Sequence, residues 1–447
     1  MWRAELPYAV DPLVLHQRDP SRYPFLLQSV AGHPQSGRWD LLFACPEQAL
    51  ILDTDGLRGP CAAEGDFFRA LDAWSAAEGR VPTLPDLPFA GGWFLYLGYE
   101  AARQVEPHLQ LPAARAALPQ ALAVRCPVAV LVDRERQCTH VLSERGAAQG
   151  HDVRLEVERA SGAAPMPADV TVESLTEDPP ERYLAGVNQV LEYLQAGDVF
   201  QVNLSRAWQA RLPSTVDAAS LYARLRLSNP APFAGLARWG EAAVLSSSPE
   251  RLIQLSDGWA QTRPIAGTRP RSADAAEDAQ LRAGLQRSLK ERAEHVMLID
   301  LERNDLGRIC RPGSVEVSEL MRLESYAHVH HIVSNVRGRL RPEVGPGGAL
   351  RAVFPGGTIT GCPKVRTMEI IAELEGEGRG AYTGSMGYLS RDGRLDSNIL
   401  IRTLVWEPGR VSLRAGAGIV ADSRPEAELA ETRAKARGLL LALGAVA

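Results

Sequence analysis

After Pro179 and Pro180, apolar residues recur at Tyr183, Val187, Val190, Leu191 and Leu194, and the pattern stops at Gly197. That spacing predicts an amphipathic helix closed by a glycine in the left-handed C′ position. The period then changes. Over residues 199–207 polar and apolar side chains alternate, which places Gln201, Asn203 and Ser205 on one face of a strand and Phe200, Val202 and Leu204 on the other. A strand with one apolar face and one amide- and hydroxyl-bearing face must back onto a core and look out into solvent or a cavity. This helix–glycine–strand unit constrains the fold more than any other stretch.

Composition removes several classes of function. The net charge is −5 and Arg and Glu are interspersed, so no long basic tract is present to neutralise a phosphate backbone, and nucleic acid is not an expected partner. The six cysteines, at 45, 61, 126, 138, 310 and 362, form no CxxC pair, which speaks against a zinc site or a disulfide framework and for reduced thiols. No basic N-terminal region leads into a continuous apolar stretch, and no apolar run of about 18 residues occurs, so the expectation is a cytoplasmic protein without a membrane partner.

Residues 161–181, rich in Ala, Pro, Asp, Glu and Thr, read as a surface linker between an N-terminal region, 1–160, and a C-terminal region, 182–447. In the first region, strands are expected at 41–44 and 49–52. A helix is expected at 66–77, with Asp66 as N-cap and Phe67, Leu71 and Trp74 on its inner face, and a buried strand within 88–100.

Four places could carry chemistry. In the last helix, opened by Pro425, Glu428, Glu431 and Lys435 fall on one stripe, suited to a hard divalent cation beside a substrate carboxylate; a solvated stripe with an intrahelical Glu–Lys pair fits the spacing better. A helix over 278–306 would turn Leu285, Leu289, Val296 and Ile299 inward and carry Glu291, Glu294 and Leu298 on an adjoining stripe. Residues 354–364 form a Gly-rich loop entering a helix; lacking Gly-Lys-Ser/Thr, it suits a carboxylate better than a nucleotide. His328 and His330 share a strand face away from His331, so the three cannot converge on zinc. Glu250, after a Ser-rich turn, would serve as a general acid if burial raised its pKa.

The order and identity of these segments are similar to the chorismate-binding enzymes. The strings that carry the resemblance are Gly197-Asp198-Val199-Phe200-Gln201-Val202-Asn203-Leu204, Ser248-Pro249-Glu250, Arg263-Pro264-Ile265-Ala266-Gly267-Thr268, Asp300-Leu301-Glu302-Arg303-Asn304-Asp305, residues 358–364, Ile401-Arg402-Thr403, Ala415-Gly416-Ala417-Gly418 and Glu431-Thr432-Arg433. The resemblance implies an α+β fold of two large, mostly antiparallel sheets packed as a sandwich, with helices outside and the active site in the cleft. It implies Mg²⁺ as cofactor on Glu294 and Glu431 with Glu428 near by, and Glu250 as the acid assisting loss of the C4 hydroxyl. Thr268 and His331 would line the reacting ring. Gly267, Thr358, Tyr382, Arg402, Gly416, Gly418 and Lys435 would hold the carboxylates of chorismate.

The resemblance also bears on the nucleophile. Members that add water resemble one another in a lysine base at the position of Gln201, whereas users of ammonia carry Gln, so ammonia is the implied co-substrate, supplied by a separate glutamine amidotransferase subunit. Members of the aminodeoxychorismate branch, which aminate C4 and retain the enolpyruvyl group, often have a lysine where this chain has Ala266. Alanine there is the pattern of the anthranilate branch, which aminates C2 and expels pyruvate. The strings at 87–92, 245–251, 354–361 and 384–390 resemble the aminodeoxychorismate branch, and the expected activity is C4 amination, with anthranilate formation as the alternative. Leu26-Leu27-Gln28-Ser29 resembles a tryptophan-binding string with Gln in place of Glu, which argues against tryptophan inhibition and leaves a structurally held tryptophan open.

Overall fold

The structure, a computed structural model, describes residues 1–30, 37–115, 117–167, 169–272, 274–325 and 329–445. Its strands assemble into antiparallel sheets of 12 and 11 strands. Phe25, Phe43, Leu131, Val244 and Val405 of the first sheet face Phe94, Tyr96, Val124 and Met386 of the second in one buried cluster. The rings of Phe25 and Phe94 stack across the interface with centroids 4.1 Å apart. Fully burying one such side chain contributes about 2 kcal/mol, so this alternation of large apolar residues is what fixes the two sheets face to face. Helices Pro12–Arg18, Ala147–Ala160, Ala218–Ser228 and Pro425–Ala442 supply buried residues to a second cluster with the outer face of the first sheet. The expected sandwich with external helices is the fold adopted.

The linker expected at 161–181 does not coincide with a boundary between sheets. Strand Phe25–Gln28 pairs with Phe233–Trp239 in the first sheet, and Gly92–Leu97 pairs with Ser385–Ser390 in the second. Within the linker itself, Ser174–Glu177 adds an edge strand to Gln201–Arg211. Prolines crowd either side of those four residues, and the four between them are free to extend along an open edge.

Local sequence rules hold at most element ends. Asp66 accepts from Arg69 N at 2.9 Å and caps helix Phe67–Glu78. Helix Pro180–Ala196 ends on Gly197 at φ 81°. The helix expected over 278–306 is instead two, Ala275–Arg287 and Leu289–Gly307, because Ser288 leaves the helical region and caps the second through Glu291 N. The break resets the phase of the helix. Leu285 and Ile299 are buried as expected, but Leu289 and Val296 are 79% and 47% exposed. Phe200, expected on the buried strand face, is 68% exposed, since the ladder starts only at Gln201. The strand expected within 88–100 narrows to Gly92–Leu97.

Candidate active site

Strand Gln201–Arg211 pairs with Arg410–Ile419 so that Asn203 lies opposite Gly418 and Ser205 opposite Gly416. Its polar face, legible as an alternation, becomes a wall of a cavity of about 560 Å³ lined by Gln201 and Asn203. A side chain on either glycine opposite would crowd the cavity wall. A Cβ on Gly418 would stand 2.1 Å from Gln201 Nε2, and one on Gly416 would meet Tyr382 Oη at 2.8 Å and Asn203 Oδ1 at 2.9 Å. Strand Ile265–Pro270 forms another wall, where Thr268 pairs in register with His331 of strand Val329–Arg339. A register irregularity between Ala266 and Thr268 brings Ala266, Gly267 and Thr268 all to the cavity.

Glu250, Gln201, Thr268, His331, Gly267, Thr358, Tyr382, Arg402, Gly416, Gly418, Lys435, Glu294, Glu428 and Glu431 all line this one cavity. Glu250 is 5% exposed. Burial, opposed by the Thr358 hydroxyl, the Ile265 backbone and the Lys435 charge, pushes its carboxyl from 4.5 up to about 7. Among the described residues, Glu250 Oε1, Gln201 Oε1 and Asn203 Oδ1 are buried without a hydrogen-bond partner. Such a concentration of unmet acceptors marks where a donor-bearing ligand belongs. His331 is held neutral, burial bringing it down to about 4, and its Nδ1 shares a hydrogen bond with Thr268 Oγ1 at 3.0 Å.

Positive charge converges from two directions. Arg402 sits at φ 53°, a backbone conformation an arginine rarely adopts, and donates from Nη1 to Lys435 O at 2.6 Å. Lys435 Nζ donates to Gly416 O at 3.0 Å and pairs with Glu431 at 2.7 Å. The intrahelical Glu–Lys pair that the spacing suggested is therefore present, at the cavity wall. Burial raises the Tyr382 hydroxyl to about 12, so it stays protonated as a donor.

Glu294 of helix Leu289–Gly307 and Glu428 and Glu431 of helix Pro425–Ala442 face the same cavity. Among the described residues no three His, Cys, Asp or Glu side chains are gathered so as to hold a metal alone. An all-carboxylate donor set from two helices still fits Mg²⁺, which takes one or two carboxylates and completes its shell with substrate and water oxygens.

Two segments singled out in the sequence reach the cavity only in part. The Gly-rich loop gives the cavity Thr358 and Ile359, but Lys364, at the start of the helix it enters, pairs with Asp305 at 2.6 Å and does not line the cavity. Of the histidines, His328 lies outside the described residues, and His330 bonds Ser325 Oγ and Asp278 instead of facing the cavity. Glu291 and Leu298, on the stripe of Glu294, line the cavity with it, and sequence reasoning missed Arg414. Arg414 precedes Gly416 and Gly418 at strand spacing on one face, and that periodicity was the available signal.

The sequence pattern of the chorismate binding enzymes matches residues 24–441. Aminodeoxychorismate synthase component 1 of Klebsiella aerogenes is 44% identical over 446 residues, covering 97% of each chain. Anthranilate synthase component 1 of Thermus thermophilus is 42% identical over 437 residues, 94% of this chain and 92% of that one. The crystal structure of anthranilate synthase component I from Streptococcus pneumoniae superposes with a TM-score of 0.79 at 31% identity, over 91% of this chain and 92% of that chain. The chain thus belongs to the chorismate-binding enzymes, and within them to the chorismate-utilising synthases of the anthranilate and aminodeoxychorismate type.

Proposed function

We propose that this chain is the chorismate-aminating component of aminodeoxychorismate synthase, replacing the C4 hydroxyl of chorismate by an amino group and so feeding 4-aminobenzoate and folate synthesis. The observation that carries the reading is Glu250, a buried carboxyl poised near neutrality in a cavity that Arg402, Arg414 and Lys435 also line. Arg402, Lys435, Tyr382, Thr358 and the backbone at Gly267, Gly416 and Gly418 orient the two carboxylates of the substrate. Protonated Glu250 gives its proton to the departing hydroxyl, which leaves as water, and recovers one from the ammonium formed as ammonia bonds to the ring. His331 and Thr268 bound the ring face without carrying charge. Gln201 and Asn203 present amide oxygens to the N–H groups of ammonia, and no lysine base stands there, as ammonia needs none. Glu294 and Glu431, with Glu428, would hold Mg²⁺, which when bound draws charge from the ring through its carboxylate.

Support for C4 over C2 comes from the strings around Pro88, Ser248, Gly356 and Gly384. Ala266 favours the second reading, anthranilate formation: it is 6% exposed at the cavity wall and offers a methyl group where an amine would be needed for covalent attack on the ring. Gln28 donates to Asp40 at 3.0 Å beside a separate cavity of about 510 Å³. We place any structurally held tryptophan in that cavity and expect no feedback inhibition by it. Ammonia is supplied by a glutamine amidotransferase component II, and the assembly works in the cytoplasm.

Incubating the purified chain with chorismate, Mg²⁺ and an ammonium salt, then weighing products by mass spectrometry and assaying pyruvate, tests the reading. A 4-amino-4-deoxychorismate product without pyruvate is expected. Anthranilate with equimolar pyruvate would replace it by the second reading.

A further inference from the structure

Behind the cavity, and not lining it, lies a fully buried ion pair. Arg379 and Glu375 are one turn apart in sequence, both side chains are 1% exposed, and they meet at 2.7 Å. A buried pair of this kind is weak evidence for stability, because desolvation of the two charges offsets most of their attraction. Its geometry is more informative than its charge.

Arg379 uses every guanidinium nitrogen. Nε and Nη2 donate to the two oxygens of Glu375 at 3.0 and 2.7 Å, Nη2 also donates to Asn203 O at 2.7 Å, and Nη1 reaches Ile359 O at 3.2 Å and Thr383 Oγ1 at 3.3 Å. Its plane lies against the rings of Tyr99 and Tyr382, 5.0 and 5.5 Å from their centroids. Glu375 in turn accepts from Ser205 N and Oγ at 2.9 and 2.8 Å and from Arg414 Nη2 at 2.9 Å, while Arg414 Nε reaches Ser205 Oγ at 3.1 Å. Asn203, Ile359, Tyr382 and Arg414 are cavity residues, drawn from a strand, a loop, a turn and a second strand. Only a planar, five-donor fork can hold three such segments at once.

We infer that Arg379, touching no substrate itself, is a positioning residue that sets the anion-binding wall of the cavity by fixing Asn203, Ile359 and Tyr382 directly and Arg414 through Glu375. The inference rests on the reading of the cavity as a chorismate site. Two cations share one carboxylate here, so the cluster of Arg379, Arg414 and Glu375 carries one net positive charge, which suits an anionic substrate.

The test is a steady-state comparison of chorismate consumption by wild type, Arg379→Lys and Ser205→Ala at saturating ammonium and Mg²⁺, with thermal melting of each. Lysine keeps the charge and loses the fork. If the hub only stabilises the fold, the variants lose active protein, so kcat falls and KM stays put. If it positions the wall, KM for chorismate rises about tenfold in Arg379→Lys and about threefold in Ser205→Ala, which removes the hydroxyl that bridges Arg414 Nε to Glu375 and leaves the direct Arg414–Glu375 contact. KM within twofold of wild type in the folded variants overturns the proposal; should Arg379→Lys fail to fold, Ser205→Ala decides alone. A wild type that neither binds nor consumes chorismate would instead overturn the underlying reading, and the proposal with it.

Discussion

At the scale of single residues, the proposed chemistry turns on the proton of Glu250. Its carboxyl is raised to about 7, so the acid form is the majority species below that pH and is lost above it. At constant free ammonia, kcat/KM for chorismate should therefore fall as pH rises through about 7, and this alkaline limb should vanish in Glu250→Gln. That variant should lose roughly a hundredfold or more in turnover while chorismate still binds, measured by calorimetry. Unchanged turnover would remove Glu250 from its role. The same carboxyl was legible in the sequence only as a residue after Ser-Ser-Ser-Pro; the burial that changes its pKa comes from strands far along the chain. Ala266 shows the reverse case. Its identity is plain in the sequence, and its place at the cavity wall adds little beyond confirming that no amine stands there.

At the scale of elements, period was readable and phase was not. The alternation from Gln201 correctly put Gln201 and Asn203 on one face, and Gly416 and Gly418 across from them follow the same rule. A methyl group on Gly418 would meet the Gln201 amide, so Gly418→Ala should cut ammonia-dependent turnover at least tenfold with little change in melting, because a flexible side-chain end can swing away. Wild-type turnover in that variant would mean that the Gln201 amide does not need its place. The helix that presents Glu291, Glu294 and Leu298 was misread in its length, since Ser288 looks like any surface residue until its hydroxyl is seen at Glu291 N. Ser288→Ala should lower stability by about 1 kcal/mol in denaturant titration, the usual cost of an N-cap. No change would show that the two helices do not depend on that cap.

At the scale of the whole molecule, the carboxylates proposed for Mg²⁺ come from helices more than a hundred residues apart, Glu294 and Glu431, and face one cavity only because both helices pack against its walls. Chelation should abolish turnover, and Glu294→Gln should shift half-maximal activation to higher Mg²⁺; indifference to chelator would remove the metal from the scheme.

The source of nitrogen is also a property of the whole chain. Freeing ammonia from glutamine calls for a thiolate nucleophile, and thiolates arise where a neighbouring cation or helix start lowers the pKa. Here burial instead raises the thiols of Cys45, Cys126, Cys138, Cys310 and Cys362. No cysteine stands among the residues lining the cavity that holds Glu250. The chain alone should thus aminate chorismate from ammonium salts and give no product from glutamine, with glutamine use appearing only when an amidotransferase subunit is added. Glutamine-dependent turnover by the isolated chain would require an activated nucleophile that none of these five thiols offers, and would end the two-subunit reading.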